Sequence, residues 1–172
     1  NEPAVSAFVR ERLGASFLRL GELTKARPNV EKALSEWLEV SGPDSPEAAR
    51  MYGLLGSVAI SDNNYDEAAR WWRKQIETIE KLKGPDHPDV AAVLIDIGGA
   101  LVLLDRYDEA GEALSRSLAI YDRVGEKGGQ RQKALAGMAR VYAATGKPEE
   151  AERMFKEAID FVSARYGPTD PF

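Results

Sequence analysis

The chain is 172 residues long, 44% apolar and 30% charged, a length that can bury a continuous core and a composition typical of a folded domain rather than a disordered one. Its 28 acidic and 23 basic residues give a formal charge of −5, which disfavours non-specific contact with nucleic acid or an anionic membrane surface. It has no cysteine, so disulfide frameworks, thiolate metal sites and cysteine nucleophiles are excluded, and its longest apolar stretch, Val90 to Leu104, is interrupted by Asp96 and falls short of a bilayer span.

In chain order, apolar periodicity and capping residues predict helices over 3–20, 23–40, 46–61, 65–83, 88–104, 107–124, 130–144 and 148–165. Pro46 follows the capping residue Ser45 or Asp44, Asn64 precedes Glu67 by three residues as in a capping box, and Pro88 and Asp89 occupy a first turn. Links of a few residues make each consecutive pair an antiparallel hairpin.

The hairpins repeat. Gly42–Ala49 (GPDSPEAA) returns as Gly84–Ala91 (GPDHPDVA), and YDEA at 65–68 returns at 107–110, both with an offset of 42. Ala26, Ala68, Ala110 and Ala151 mark four copies. In the first helices, Leu13, Leu55, Ile97 and Met138 are equivalent, then Gly14, Gly56, Gly98 and Ala139, and then Phe17, Ala59, Leu101 and Tyr142. The second helices answer with Val30, Trp72, Leu114 and Phe155, and, further along, Trp37, Ile79, Tyr121 and Val162. Spacings of three and four place these sets on packing faces, and the recurring glycine marks a close approach of two helix backbones.

This pattern resembles the tetratricopeptide repeat, in the longer kinesin-light-chain variety with its G-P-D-H-P linker, over the whole chain. The resemblance implies an all-α superhelical solenoid of four hairpins and eight antiparallel helices. The expected organisation is one domain over 1–172, with repeats at about 1–41, 42–83, 84–125 and 126–166. Two departures stand out: the linker GEKGGQRQ (125–132) lacks both prolines, and 167–172 reads as the start of a truncated further linker. With no initial Met, these favour a domain cut from a longer protein, and the compartment stays open with the cytoplasm slightly favoured.

By the same resemblance, the first helices line a concave groove for a protein or peptide. The groove positions include Phe8, Arg12 and Arg19 in the first repeat, Arg50 and Ser57 in the second, Ile95, Gly99, Val102 and Leu103 in the third, and Lys133 and Arg140 in the fourth. The cations outnumber Glu11 and Asp96 there and flank an apolar middle, which suits an acidic peptide with an apolar anchor. The asparagine that such families use to hold a partner backbone is absent; Arg12, Leu54, Asp96 and Gly137 stand in its place. The alternatives are a homodimer covering Ile95, Val102 and Leu103, or a regulatory segment of a larger protein. His87, beside Asp86 and Asp89, reads as a capping residue rather than a metal ligand, and no carboxylate is expected in an apolar surround that would raise its pKa. No catalytic residue, cofactor or metal is expected, and neither nucleic-acid binding nor membrane insertion.

Overall fold

The computed structural model describes residues 2–167 and contains, among them, eight helices and no strand. These are α1 (Glu2–Arg19), α2 (Leu23–Ser41), α3 (Pro46–Ser61), α4 (Tyr65–Lys83), α5 (Pro88–Leu103), α6 (Tyr107–Arg123), α7 (Gly129–Ala144) and α8 (Pro148–Tyr166). Every boundary falls within one residue of the expectation. The linker expected beyond Gly167 and the side chain of Val162 lie outside the described residues.

The helix starts follow from the capping residues. Ser45 Oγ accepts the Ala48 N–H at 3.1 Å, and Asn64 Oδ1 accepts the Glu67 N–H at 3.3 Å while its amide donates to the Glu67 carboxylate at 3.0 Å. His87 takes the Ser45 role in the next copy: its Nδ1 accepts the Asp89 N–H at 3.1 Å. The first helix of each hairpin also ends in the same way. Glu22, Asn64, Arg106 and Lys147 donate their N–H groups to the carbonyls of Phe17, Ala59, Leu101 and Tyr142, five residues back, at 2.8–2.9 Å. The preceding residue is left-handed in each case: Gly21 (φ 74°), Asn63 (57°), Asp105 (56°) and Gly146 (74°). This is the Schellman closure. Asn and Asp are the non-glycine residues that best tolerate the left-handed region, and here each accepts a hydroxyl hydrogen bond from the tyrosine two residues on, Tyr65 or Tyr107.

Two compact units divide the chain, Asn1–Val93 and Leu94–Phe172. In the first, Val30, Ala33 and Leu34 of α2 pack on Ala48, Met51, Tyr52 and Leu55 of α3, with Trp37, Leu38, Leu54 and Trp71 around them. The second buries Ile97 and Leu101 of α5, Leu114, Ile120 and Tyr121 of α6, and Leu135, Met138 and Val141 of α7. The repeated glycine works as expected. A Cβ added at Gly14 would lie 2.5 Å from Val30 Cγ2, and one at Gly98 would lie 2.7 Å from Leu114 Cγ.

Equivalence in sequence does not guarantee equal burial. Leu13 and Phe155, equivalent to buried core residues, are exposed, because the described residues supply no hairpin outside them.

Candidate functional site

In the first unit, α1 and α3 carry the expected groove residues. Phe8 is half exposed, and the Arg12 guanidinium lies 5.2 Å from its ring centroid. Arg19 donates to Ser16 Oγ at 3.3 Å, and Ser57 Oγ turns back to the Gly53 carbonyl at 3.0 Å. Arg50 is already engaged. Its Nε meets Glu11 Oε1 at 3.1 Å, Glu47 stands 3.7 Å from Nη1, and the Glu11 hydrogen bond is the main cause of a raised Arg50 pKa. Glu11 also accepts Trp37 Nε1–H at 3.1 Å. The basic excess of this unit therefore rests on Arg12 and Arg19.

In the second unit, α5 and α7 carry the rest. Ile95 and Val102 are half-buried, and Leu103 is openly exposed. Gly99 has no atom within 4 Å of where a Cβ would stand, so it leaves open floor between them. Lys133 and Arg140 are exposed. Asp96 differs from expectation. Its carboxylate reaches solvent on one side, yet desolvation by its surroundings raises its pKa, opposed by the charge of Lys133. The expectation of no carboxylate in an apolar surround therefore fails here. The sequence did contain the signal, since Asp96 is the charge that interrupts the apolar run from Val90 to Leu104.

An acid with a raised folded pKa is destabilising when ionised, and that penalty vanishes as pH falls through the folded pKa to the unfolded one. Asp96→Asn should therefore raise the thermal midpoint near neutrality by about 1–2 °C, a modest figure because solvent screens the exposed side. The difference should close below about pH 4. A lower midpoint for the variant near neutrality would show that Lys133 outweighs desolvation.

Two further clusters escaped the sequence reading. Glu67 receives both Arg27 guanidinium nitrogens, at 2.7 and 3.1 Å, and Trp71 Nε1–H at 3.1 Å; the Arg27 hydrogen bond is the main cause of its lowered pKa. Trp71 stacks on Tyr52 with centroids 6.0 Å apart, and Lys74 Nζ covers the indole at 4.9 Å. Trp71 thus leans on the neighbouring hairpin as part of the first unit's core. At the proline-free linker, Arg131 bridges Asp122 and Glu157 at 2.7 Å each, and these residues with Glu126, Lys127 and Gln132 line a cavity of about 270 Å³. Partners 39 or 40 residues apart leave no local pattern, and this explains why these contacts were not foreseen.

Among the described residues, no group of three or more His, Cys, Asp or Glu could hold a metal ion, and no helix is long and apolar enough to cross a membrane.

A family profile described as tetratricopeptide repeat matches residues 5–71, 47–123 and 97–164. No curated protein matches the sequence. Among solved structures, BtubC (BKLC) from P. vanneervenii is similar at 23% identity and a TM-score of 0.87, over 99% of this chain and 68% of that one. TPR-like repeats assigned to a kinesin light chain of Podosopora anserina are similar at 17% and 0.81, over 99% and 80%. A Rap protein complexed with competence and sporulation factor is similar at 15% and 0.71, over 96% and 46%. At these identities the likeness concerns the fold.

Proposed function

This chain belongs to the tetratricopeptide repeat family, and from that premise we propose that it is a non-catalytic interaction module that holds a protein segment or peptide on its first-helix faces. The observation that carries this reading is the face of α5 in the second unit. Gly99 leaves open floor beside half-buried Ile95 and Val102 and exposed Leu103, and the exposed cations Lys133 and Arg140 are supplied from α7. An apolar side chain of a partner has a place to sit there, and acidic residues flanking it would meet the cations. Asp96 adds selectivity, because an acidic residue placed directly against a desolvated carboxylate is repelled. The similar Rap protein is complexed with a factor, which is consistent with this mode.

The test is fluorescence anisotropy with labelled ten-residue peptides carrying a central Leu or Phe, flanked by Glu in one set and Lys in another. Binding should favour the acidic set, and Lys133→Glu with Arg140→Glu should weaken it at least about tenfold, as expected for losing two charge-assisted contacts, with helix content unchanged. Equal binding of both sets, or an unaffected double variant, would sink the proposal. Arg50 is a poor probe, because replacing it strands Glu11.

The exposure of Leu103 supports a second reading, in which another copy covers this face. Val102→Ser with Leu103→Ser would then shift a concentration-dependent dimer to monomer in sedimentation equilibrium.

A further inference from the structure

We propose that the chain associates with a second copy of itself head to tail, the outer face of α8 of one copy docking on the outer face of α1 of the next. The argument starts from residues equivalent in sequence but unequal in burial. Leu13 of α1 is 44% exposed, whereas its counterparts Leu55, Ile97 and Met138 are 0%, 4% and 5% exposed. Val9 is 48% exposed against 0%, 6% and 0% for Met51, Val93 and Ala134. On α8, Phe155 is 40% exposed against 1% for Leu114, and Ile159 is 60% exposed against 8% and 7% for Leu34 and Ile76. Each face is one half of a joint that the chain builds internally. In the first unit, Val30 and Leu34 of α2 join Met51 and Leu55 of α3 in one cluster. In the second, Leu114 of α6 fills the space over Gly137 of α7, its Cδ2 lying 2.9 Å from where a Cβ would stand.

That internal joint sets the register of the external one. Phe155 stands where Leu114 does and Arg12 where Gly137 does, so Phe155 meets Arg12 of the next copy, a cation–π pairing. Ile159 stands where Leu34 does and therefore meets Val9 and Leu13. Charge agrees with this register. In an antiparallel approach the first half of α8, with exposed Glu149 and Glu152, lies along the last half of α1, with exposed Arg12 and Arg19. A second copy is the occupant indicated because both halves of the joint are present and uncovered in this one sequence. α1 against α1 would instead oppose cation to cation.

Three polar replacements on α1 limit the strength of the contact. Ser6, Arg10 and Ser16 stand where other copies bury Ala48, Tyr52 and Val58. The apolar area left is a few hundred Å², below the ~800 Å² per partner of a stable complex, so association should fall in the range of about 10–100 μM. The contact is heterologous, so both ends of a dimer remain open and growth continues past two copies.

Sedimentation velocity on the unmodified chain between about 1 and 500 μM spans that range and should show species growing beyond dimer. Leu13→Glu and Ile159→Glu should each weaken association at least about tenfold, the usual effect of a charge placed in an apolar contact. Each variant keeps the other face, so an equimolar mixture of the two should recover association and stop at a dimer. Circular dichroism checks that helix content is retained, and Val9→Glu with Phe155→Glu repeats the test if either first variant unfolds. A monomer throughout the range, or oligomers that persist in both single variants, would overturn the proposal. Persistence in the single variants combined with loss in Val102→Ser plus Leu103→Ser would assign self-association to the α5 face instead.

Discussion

Gly56→Leu is expected to destabilise the first unit by about 3 kcal/mol or more, because the site has no room even for a methyl group. A Cβ there would stand 2.5 Å from Trp72 Cδ1 and 2.6 Å from Cε2. The obstacle is a buried indole, which cannot yield as the end of a flexible chain would. Gly56→Ala separates packing from propensity. The helix gains about 1 kcal/mol when alanine replaces glycine, and overpacking costs about 1–3 kcal/mol, so the net change should be unfavourable. Gly99→Ala is the control: nothing lies within 4 Å of its added Cβ, so propensity acts alone and the variant should be more stable than the parent. Urea denaturation of the three variants decides the matter, and a stabilising Gly56→Ala would show that backbone approach is not why glycine recurs at 14, 56 and 98.

The contrast between Gly56 and Gly99 also shows what sequence could convey. Recurrence at a fixed offset identified the first as a packing position, and the same offset placed all eight helices, because hydrophobic period and capping are local properties written once per copy. Asn64 with Glu67 is legible for that reason. Contacts between copies were not. Glu11 with Arg50, and Arg27 with Glu67, depend on how successive helices are stacked, and charged residues are too frequent for any one pair to stand out. The left-handed turns at Asn63 and Asp105 were missed because the Schellman closure is defined by backbone geometry and accepts several residue types. Burial was misread at Leu13 and Phe155 for another reason: repeat position specifies which face a residue occupies, while burial also requires a neighbour on that face. In the candidate site, residue type and helix face were legible at Lys133 and Arg140, but the engagement of Arg50 and the desolvation of Asp96 came from surroundings the repeat pattern does not encode.

Leu114→Ala should destabilise the second unit by about 2–5 kcal/mol through lost burial and the cavity left behind. Leu114 is 1% exposed and sits between two glycines on different helices, Gly98 of α5 and Gly137 of α7. Its Cγ and Cδ2 lie 2.7 and 2.9 Å from the Cβ positions those glycines leave empty, so one side chain accounts for both. With Leu114 in place, Gly98→Ala and Gly137→Ala should each be unfavourable or neutral, since steric cost offsets the propensity gain of about 1 kcal/mol. In the Leu114→Ala background the obstruction is gone and part of the cavity is refilled, so both substitutions should become stabilising. Residues sharing one cavity couple by about 0.5–3 kcal/mol, and a double-mutant cycle for each pair, measured by urea denaturation, should return a favourable interaction term in that range. Strict additivity in both cycles would mean that Leu114 does not fill the space the glycines leave, and the joint through which α6 meets α7 would need a different explanation.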